Sequence, residues 1–156
     1  MTKDELSQYI GSNFAGKLTP VETGKFDPWF EVKPEDLLEV AEKLRDDDQL
    51  KLDFLCNISG VDTGEHFEIA YSLASISLKH RVDIKLRLPY EGPVIQSVQT
   101  IWAGANWHER EIWELYGIDI ENHDDLKRFL LPDEWDQGYP MRKDWDADGF
   151  VRMPEV

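Results

Sequence analysis

A single cysteine, Cys56, among 156 residues removes several chemistries at once. No internal disulfide can form, and no iron–sulfur or zinc site can be built from cysteines within the chain. Bases are scarce as well: 17 Lys and Arg face 32 Asp and Glu, a formal net charge of −15 with a pI near 4.5. Without a run of bases there is nothing to neutralise a phosphate backbone, so nucleic acid is not an expected ligand. No apolar stretch approaches the roughly 20 residues needed to span a bilayer, and the opening MTKDELSQY carries charges where a signal peptide has an apolar run. The expected compartment is the cytoplasm, where Asn57-Ile58-Ser59 is a chance glycosylation match. The glycines form no Gly-x-Gly and no Gly-Lys-Ser/Thr string, so dinucleotides and nucleoside triphosphates lack a cradle.

What the chain does have is enough apolar material to fold. It is 41% hydrophobic, with six Trp, seven Phe and five Tyr, and a chain of roughly 150 residues buries about two-thirds of its unfolded surface in one core. The charge therefore reads as a skin on a folded body. Leu6, Tyr9, Ile10 and Phe14 lie at helical spacing, giving a short helix over 3–14 interrupted by Gly11. Trp29 to Val32 reads as a strand, Pro34 as the first turn of a helix, and Leu37, Leu38, Val40, Ala41 and Leu44 as that helix's apolar face. Strands are expected over about 50–58 and 67–73, with turns at Gly60 and Gly64. From Arg81 to Leu88 charged and apolar residues alternate strictly, the signature of a strand with one wet face.

These patterns predict an α+β fold: a mixed, mostly antiparallel sheet covered by helices, with the strand–helix–strand unit of residues 29–58 as one crossover. Five of the six Trp fall between Trp102 and Trp145. A helix is expected over 107–116, with Asn106 and Glu109 as a capping box, Arg110 and Glu114 as an i,i+4 ion pair and Gly117 as its left-handed end. After Leu131 periodicity stops and Pro132, Gly138, Pro140 and Pro154 intervene. The predicted organisation is an α+β domain over 1–130 and an extended irregular tail over 131–156, ordered by a partner or by contacts within the chain.

Three motifs invite a chemical reading. His108-Glu109 begins a zinc-protease HExxH but Ile112 stands where the second histidine belongs, and His66, His80 and His123 are scattered, so no metal site is predicted. Asp144-x-Asp146-x-Asp148-Gly149 with Glu155 matches a calcium loop in ligand type and spacing. Against it, Pro140 precedes the loop, Arg152 sits at its ninth position, Pro154 stiffens the approach of Glu155, and no exit helix has room to form; an acidic tail is the better reading. Glu109 and Glu111 do not face each other on a helix and no nucleophile signature accompanies them, so no catalytic residue is assigned. Trp135 and Trp145 lie in the tail with no core face of their own, and aromatics beside Arg are what buried interfaces favour.

The run Ala105-Asn106-Trp107-His108-Glu109-Arg110-Glu111-Ile112-Trp113-Glu114-Leu115-Tyr116-Gly117-Ile118, continued by His123 to Trp135, resembles the signature of the C subunit of respiratory complex I, the proton-pumping NADH:quinone oxidoreductase. Gly138-Tyr139-Pro140-Met141-Arg142-Lys143-Asp144 resembles that family's closing Gly-His-Pro-Leu-Arg-Lys-Asp, and the likeness extends over about residues 30–145. Asp124, Phe129 and Tyr139 depart from the family pattern, Tyr139 standing where histidine is usual. The resemblance implies a cofactor-free member of the hydrophilic arm, on the cytoplasmic face of the membrane and attached to it only through the complex. It supports the quinone-site subunit beside the iron–sulfur subunits, with no activity of its own. The partner-binding residues it implies are Glu109, Arg110, Glu111, His123, Trp135, Tyr139, Arg142, Lys143 and Trp145. Related subunits of membrane-bound hydrogenases and of other quinone or phenazine oxidoreductases are the alternative, and a calcium-binding module a more remote one.

Overall fold

The computed structural model of the chain describes every residue except Thr23, Lys25 and 152–156. Helix α1 spans Lys3–Asn13 and is opened by a capping box in which Thr2 and Glu5 satisfy each other's backbone amides. Its apolar residues Leu6 and Ile10 are buried, and Tyr9 donates to the Asp47 carboxylate at 3.0 Å. Gly11 does not interrupt the helix; it lies on the exposed side with open space around it. Strands β1 (Leu18–Val21) and β2 (Trp29–Val32) follow, then a 3-10 turn at Pro34–Asp36 that leads into α2 (Leu37–Asp46). The apolar stripe of α2, Leu37, Val40, Ala41 and Leu44, is buried as its spacing requires.

Strands β3 (Phe54–Asp62), β4 (His66–Ser75) and β5 (His80–Pro89) complete a five-stranded sheet in the order β1-β2-β5-β4-β3. All neighbours are antiparallel except β2 and β5, which run parallel. The sheet is thus mixed and mostly antiparallel, and α2 is the crossover that carries the chain from β2 over two strands to the far edge at β3. In β5 the alternation is decisive: Val82, Ile84, Leu86 and Leu88 are buried, whereas Arg81 and Arg87 are exposed. On the wet face Glu68 of β4 meets Lys85 at 3.1 Å and Arg87 at 3.4 Å from the neighbouring strand, a cross-strand charge pairing that fixes register at modest energy.

The strand expected at 50–58 begins and ends later. Leu50 and Leu52 are buried in a turn instead, closed by Leu52 N–H donating to Leu44 O at 3.1 Å. Gly60 is not a turn but lies inside β3, where a Cβ would come within 2.9 Å of the Tyr116 ring; glycine there permits close approach of a helix to a strand. Gly64, at φ +90°, makes the turn. Two short parallel strands, β6 (Val94–Gln96) and β7 (Asp119–Glu121), flank α3 (Ala105–Tyr116) in a separate two-stranded sheet. Gly117 closes α3 in the left-handed region at φ +68°, as its sequence position implied.

Ile84 is fully buried at the centre of β5. Ile84→Ala should cost about 2–5 kcal/mol of unfolding free energy, the range for a large-to-alanine change at a packed site. Denaturant titration checks this, and a loss below about 1 kcal/mol would show that the sheet centre is not packed as described.

Candidate functional site

Helix α3 places charged side chains where a surface helix would have none. Glu109 is fully buried, with Arg110 and Glu114 nearly so. The expected capping box does not form: Gly104 is the cap residue and supplies no side-chain bond. Glu109 points inward, accepting from the Ser97 hydroxyl at 2.6 Å and the Val98 amide at 2.7 Å. Burial pushes its carboxyl up, against the opposing pull of Ser97, Val98 and His123. His123 Nε2 lies 3.8 Å from Glu109 and 3.1 Å from the Asn106 carbonyl. Its Nδ1 accepts from the Asp125 amide, so the ring proton resides on Nε2 and donates to Asn106.

Nor do Arg110 and Glu114 pair with each other. Arg110 Nε donates to Lys127 O at 2.8 Å, while its guanidinium packs 4.5 Å from the Trp107 ring and 4.8 Å from the Phe129 ring. The Glu114 carboxylate accepts the amides of Phe129, Leu130 and Leu131. An i,i+4 rule written for exposed faces fails here because both residues face irregular chain whose backbone groups need partners. Glu111, by contrast, is exposed.

The tail returns to the body at residues 139–144. Met141 N–H donates to Leu115 O and Arg142 Nε to Tyr116 O, satisfying carbonyls left free at the end of α3. The Arg142 guanidinium lies 4.8 Å from the Tyr139 ring, 5.2 Å from Phe67 and 5.7 Å from Tyr90. Asp62, at the end of β3, accepts from the amides of Lys143 and Gly64 at 2.7 Å each and from Tyr90 Oη at 3.0 Å. Burial alone would raise the Asp62 carboxyl, but these three donors outweigh it and hold it below the usual carboxylate range. Tyr90, desolvated and bonded to Asp62, is pushed up to about 12. A Cβ at Gly117 would run into the Tyr139 ring, so glycine is required there for space as well as for its positive φ.

Beyond this clasp, Trp135 and Trp145 stack at 6.3 Å, and Trp145 meets Phe150 edge-on at 4.9 Å. Trp135 Nε1 donates to Gly138 O and Trp145 Nε1 to Gln137 O. Of the residues assigned to partner binding from sequence, the structure brings Tyr139, Arg142 and Lys143 together at the clasp and Trp135 with Trp145 in the outer stack. Glu109, Arg110 and His123 line the inside of the α3 region, where this chain's own segments enclose them. Among the described residues, no group of three or more His, Cys, Asp or Glu side chains is placed to hold a metal ion. Asp144 of the calcium-like string accepts from Tyr90 at 3.2 Å, and Glu155 lies outside the described residues. A surface that sequence reading misses is Trp107, Phe129 and Leu130, which are 57%, 38% and 53% exposed; Trp107 meets Phe129 edge-on at 5.3 Å. In the sequence Phe129 stands out only as a departure from a family pattern, and no periodicity joins it to Trp107.

Residues 30–151 match the family model described as the respiratory-chain NADH dehydrogenase 30 Kd subunit. The chain belongs to that family. The 30 Kd match takes in β2 through the outer aromatic stack, and so every contact described for α3 and the tail. Among curated relatives, the C subunit of the NADH-quinone oxidoreductase of Chloroherpeton thalassium is 37% identical over 139 residues, covering 87% of this chain and 58% of the relative's length. That of Chlorobium phaeobacteroides is 36% identical over 149 residues, covering 92% and 89%. This chain therefore spans little more than half of one relative and most of the other. A solved structure of the trypsin-resistant fragment (1-134) of Nqo5 superposes with a TM-score of 0.66 at 26% identity, covering 78% of this chain and 98% of the fragment. A chain of the membrane-bound sulfane sulfur reductase, an archaeal respiratory membrane complex, gives a TM-score of 0.80 at 20% identity and covers all of this chain, a likeness of fold.

Two outcomes follow from the clasp. Because the folded-state pKa of Asp62 is depressed, its contribution to stability is present above the ordinary carboxylate value and is lost as pH falls through the folded value. Asp62→Asn should therefore lower unfolding free energy by about 1–3 kcal/mol near neutral pH, and the deficit should shrink toward zero below about pH 4. Denaturant unfolding across pH measures this, and a deficit independent of pH would remove the carboxylate from the account. Gly117→Ala should destabilise by at least about 1 kcal/mol from the positive φ alone and should displace Tyr139, seen as a changed tyrosine environment in near-ultraviolet circular dichroism.

Proposed function

We propose that this protein is a cofactor-free structural subunit of the hydrophilic arm of a membrane-bound, proton-translocating NADH:quinone oxidoreductase, holding the subunit that forms the quinone site in register with its iron–sulfur neighbours. The observation that carries the reading is the family match across residues 30–151 together with what those residues do. The buried charged positions of α3 are occupied in fixing chain segments, and the one cysteine leaves no set of thiolates to ligate a cluster. On this reading electrons pass through neighbouring subunits, and this chain supplies geometry. Association with the membrane is indirect, at its cytoplasmic face; among the described residues no helix is long and apolar enough to cross a bilayer.

The tail is the second part of the proposal. Residues 131–151 are held at the α3 clamp and at the 139–144 clasp, so the stack of Trp135 and Trp145 is offered to a partner already shaped. Docking then loses less conformational entropy than folding a free segment would. Tyr139, Arg142 and Lys143 act by setting the angle of the tail, and Glu109, Arg110 and His123 by holding α3 and its flanking loops, while Glu111 remains available at the surface.

The purified chain should show only aromatic absorption, with no visible band. In a strain lacking its gene, membrane NADH:quinone reductase activity should be lost and restored by the intact chain. A stoichiometric chromophore surviving gel filtration would overturn the scaffold reading, and retained quinone reductase activity without the chain would overturn its place in the complex.

A further inference from the structure

We propose that Trp107, Phe129 and Leu130 form the apolar centre of a docking surface with an acidic rim, and that its occupant is a patch on a neighbouring subunit with an apolar middle and a fringe of Lys or Arg. The inference rests on the reading that this chain is a subunit of an oxidoreductase complex. It adds a surface distinct from the Trp135–Trp145 stack, and the chemistry of what covers it.

Trp107 and Phe129, 57% and 38% exposed, meet edge-on where α3 meets the segment it clamps, and Leu130, 53% exposed, follows Phe129 in the chain. Single exposed apolar residues are ordinary, but contiguous ones on a folded protein mark contact sites. The patch is held rigidly. Arg110 packs against both Trp107 and Phe129 and bonds the carbonyls of Lys127 and Arg128, and Glu114 fixes the amides of Phe129 and Leu130. A preformed aromatic surface loses little entropy on binding.

The rim decides the occupant. Glu111 lies one helical turn from Trp107 on the same face of α3 and is exposed, as are Asp133 and Glu134. Asp133 is drawn close to the patch by Arg128, whose Nη1 donates to its carbonyl at 3.1 Å. Among the described residues none of these three carboxylates makes an ion pair. The nearby bases are committed elsewhere: Arg110 to the two rings and the backbone carbonyls, Arg128 to the Asp133 carbonyl, and Lys127 to Asp125 at 3.0 Å. A second copy of this chain would bring another net charge of −15 against the same rim, and an anionic lipid surface would be repelled likewise. A cationic fringe around an apolar centre is complementary on both counts.

The test titrates the full-length chain into the complex purified from the gene-deletion strain, at low and at physiological salt. Leu130→Ser, which removes apolar surface and leaves the Arg110 contacts with Trp107 and Phe129 in place, should weaken binding about tenfold at both salts, the size of a moderate hot-spot loss. A Glu111→Lys/Asp133→Lys/Glu134→Lys chain should associate about tenfold more slowly at low salt, with the difference shrinking as salt screens the rim. Val61→Ser, an exposed apolar change on β3, should leave binding unchanged, and circular dichroism identical to the parent shows that each variant is folded. Wild-type binding with both patch variants unimpaired would overturn the proposal while leaving the proposed function standing. Failure of the wild-type chain to bind would sink the proposed function and this inference with it. Self-association of the chain abolished by Leu130→Ser would assign the patch to a second copy instead.

Discussion

Everything after the sheet depends on three buried charges of helix α3 finding backbone partners in irregular chain. Glu109 takes a hydroxyl and an amide from residues 97 and 98, Arg110 takes carbonyls from 127 and 128, and Glu114 takes three amides from 129 to 131. Loop backbone packed against a protein body has the same need for hydrogen bonds as any strand, and no ladder to meet it. Here one helix serves as the ladder, with side chains in place of peptide groups. The arrangement carries an obligation, because removing Glu109 leaves a buried amide and hydroxyl unpaired, the most costly way to lose a hydrogen bond, and removing Arg110 or Glu114 does the same to half-buried carbonyls or amides.

That arrangement explains which parts of the protein are legible in its sequence. The sheet and α2 are, because burying one face of a regular element imposes a period of 2 or 3.6, and Val82 to Leu88 and Leu37 to Leu44 follow it. Helix α3 is legible as a helix but not in what its side chains do. Asn106 with Glu109 and Arg110 with Glu114 satisfy spacing rules derived from solvent-exposed helices, and only the tertiary fold reveals that this face is covered. Strands β1, β6 and β7 span four, three and three residues, too few for any alternation to stand out, and Pro20 masks β1 further. Gly60 reads as a turn because sequence reports a glycine's freedom and not the Tyr116 ring packed against it.

The candidate surface is legible only in part. Trp135 and Trp145 can be singled out because they stand in aperiodic chain, where an aromatic has no core face to explain it. Trp107 cannot, since it lies on a helix whose other large residues are mostly buried, and Phe129 is brought beside it by Arg110 acting on a distant stretch of chain. A surface composed by a third residue that touches both neighbours leaves no spacing to read. Family resemblance locates the region but not the division of labour within it, because a matching motif does not distinguish a residue that meets a partner from one that holds the residue that does.

That division follows from the energetics of charge. Glu109 and Arg110 are enclosed, and a charge already desolvated and bonded inside one chain has little left to offer another. Glu111, Asp133 and Glu134 are solvated, so bringing bases to them exchanges water for charge at moderate cost and gains mainly in rate and specificity. The same chain thus uses its acids in two ways that the sequence writes alike. Where they are buried they set the shape of an irregular surface, and where they are exposed they select what approaches it. A protein with net charge −15 can in this way keep one aromatic surface rigid and its surroundings negative.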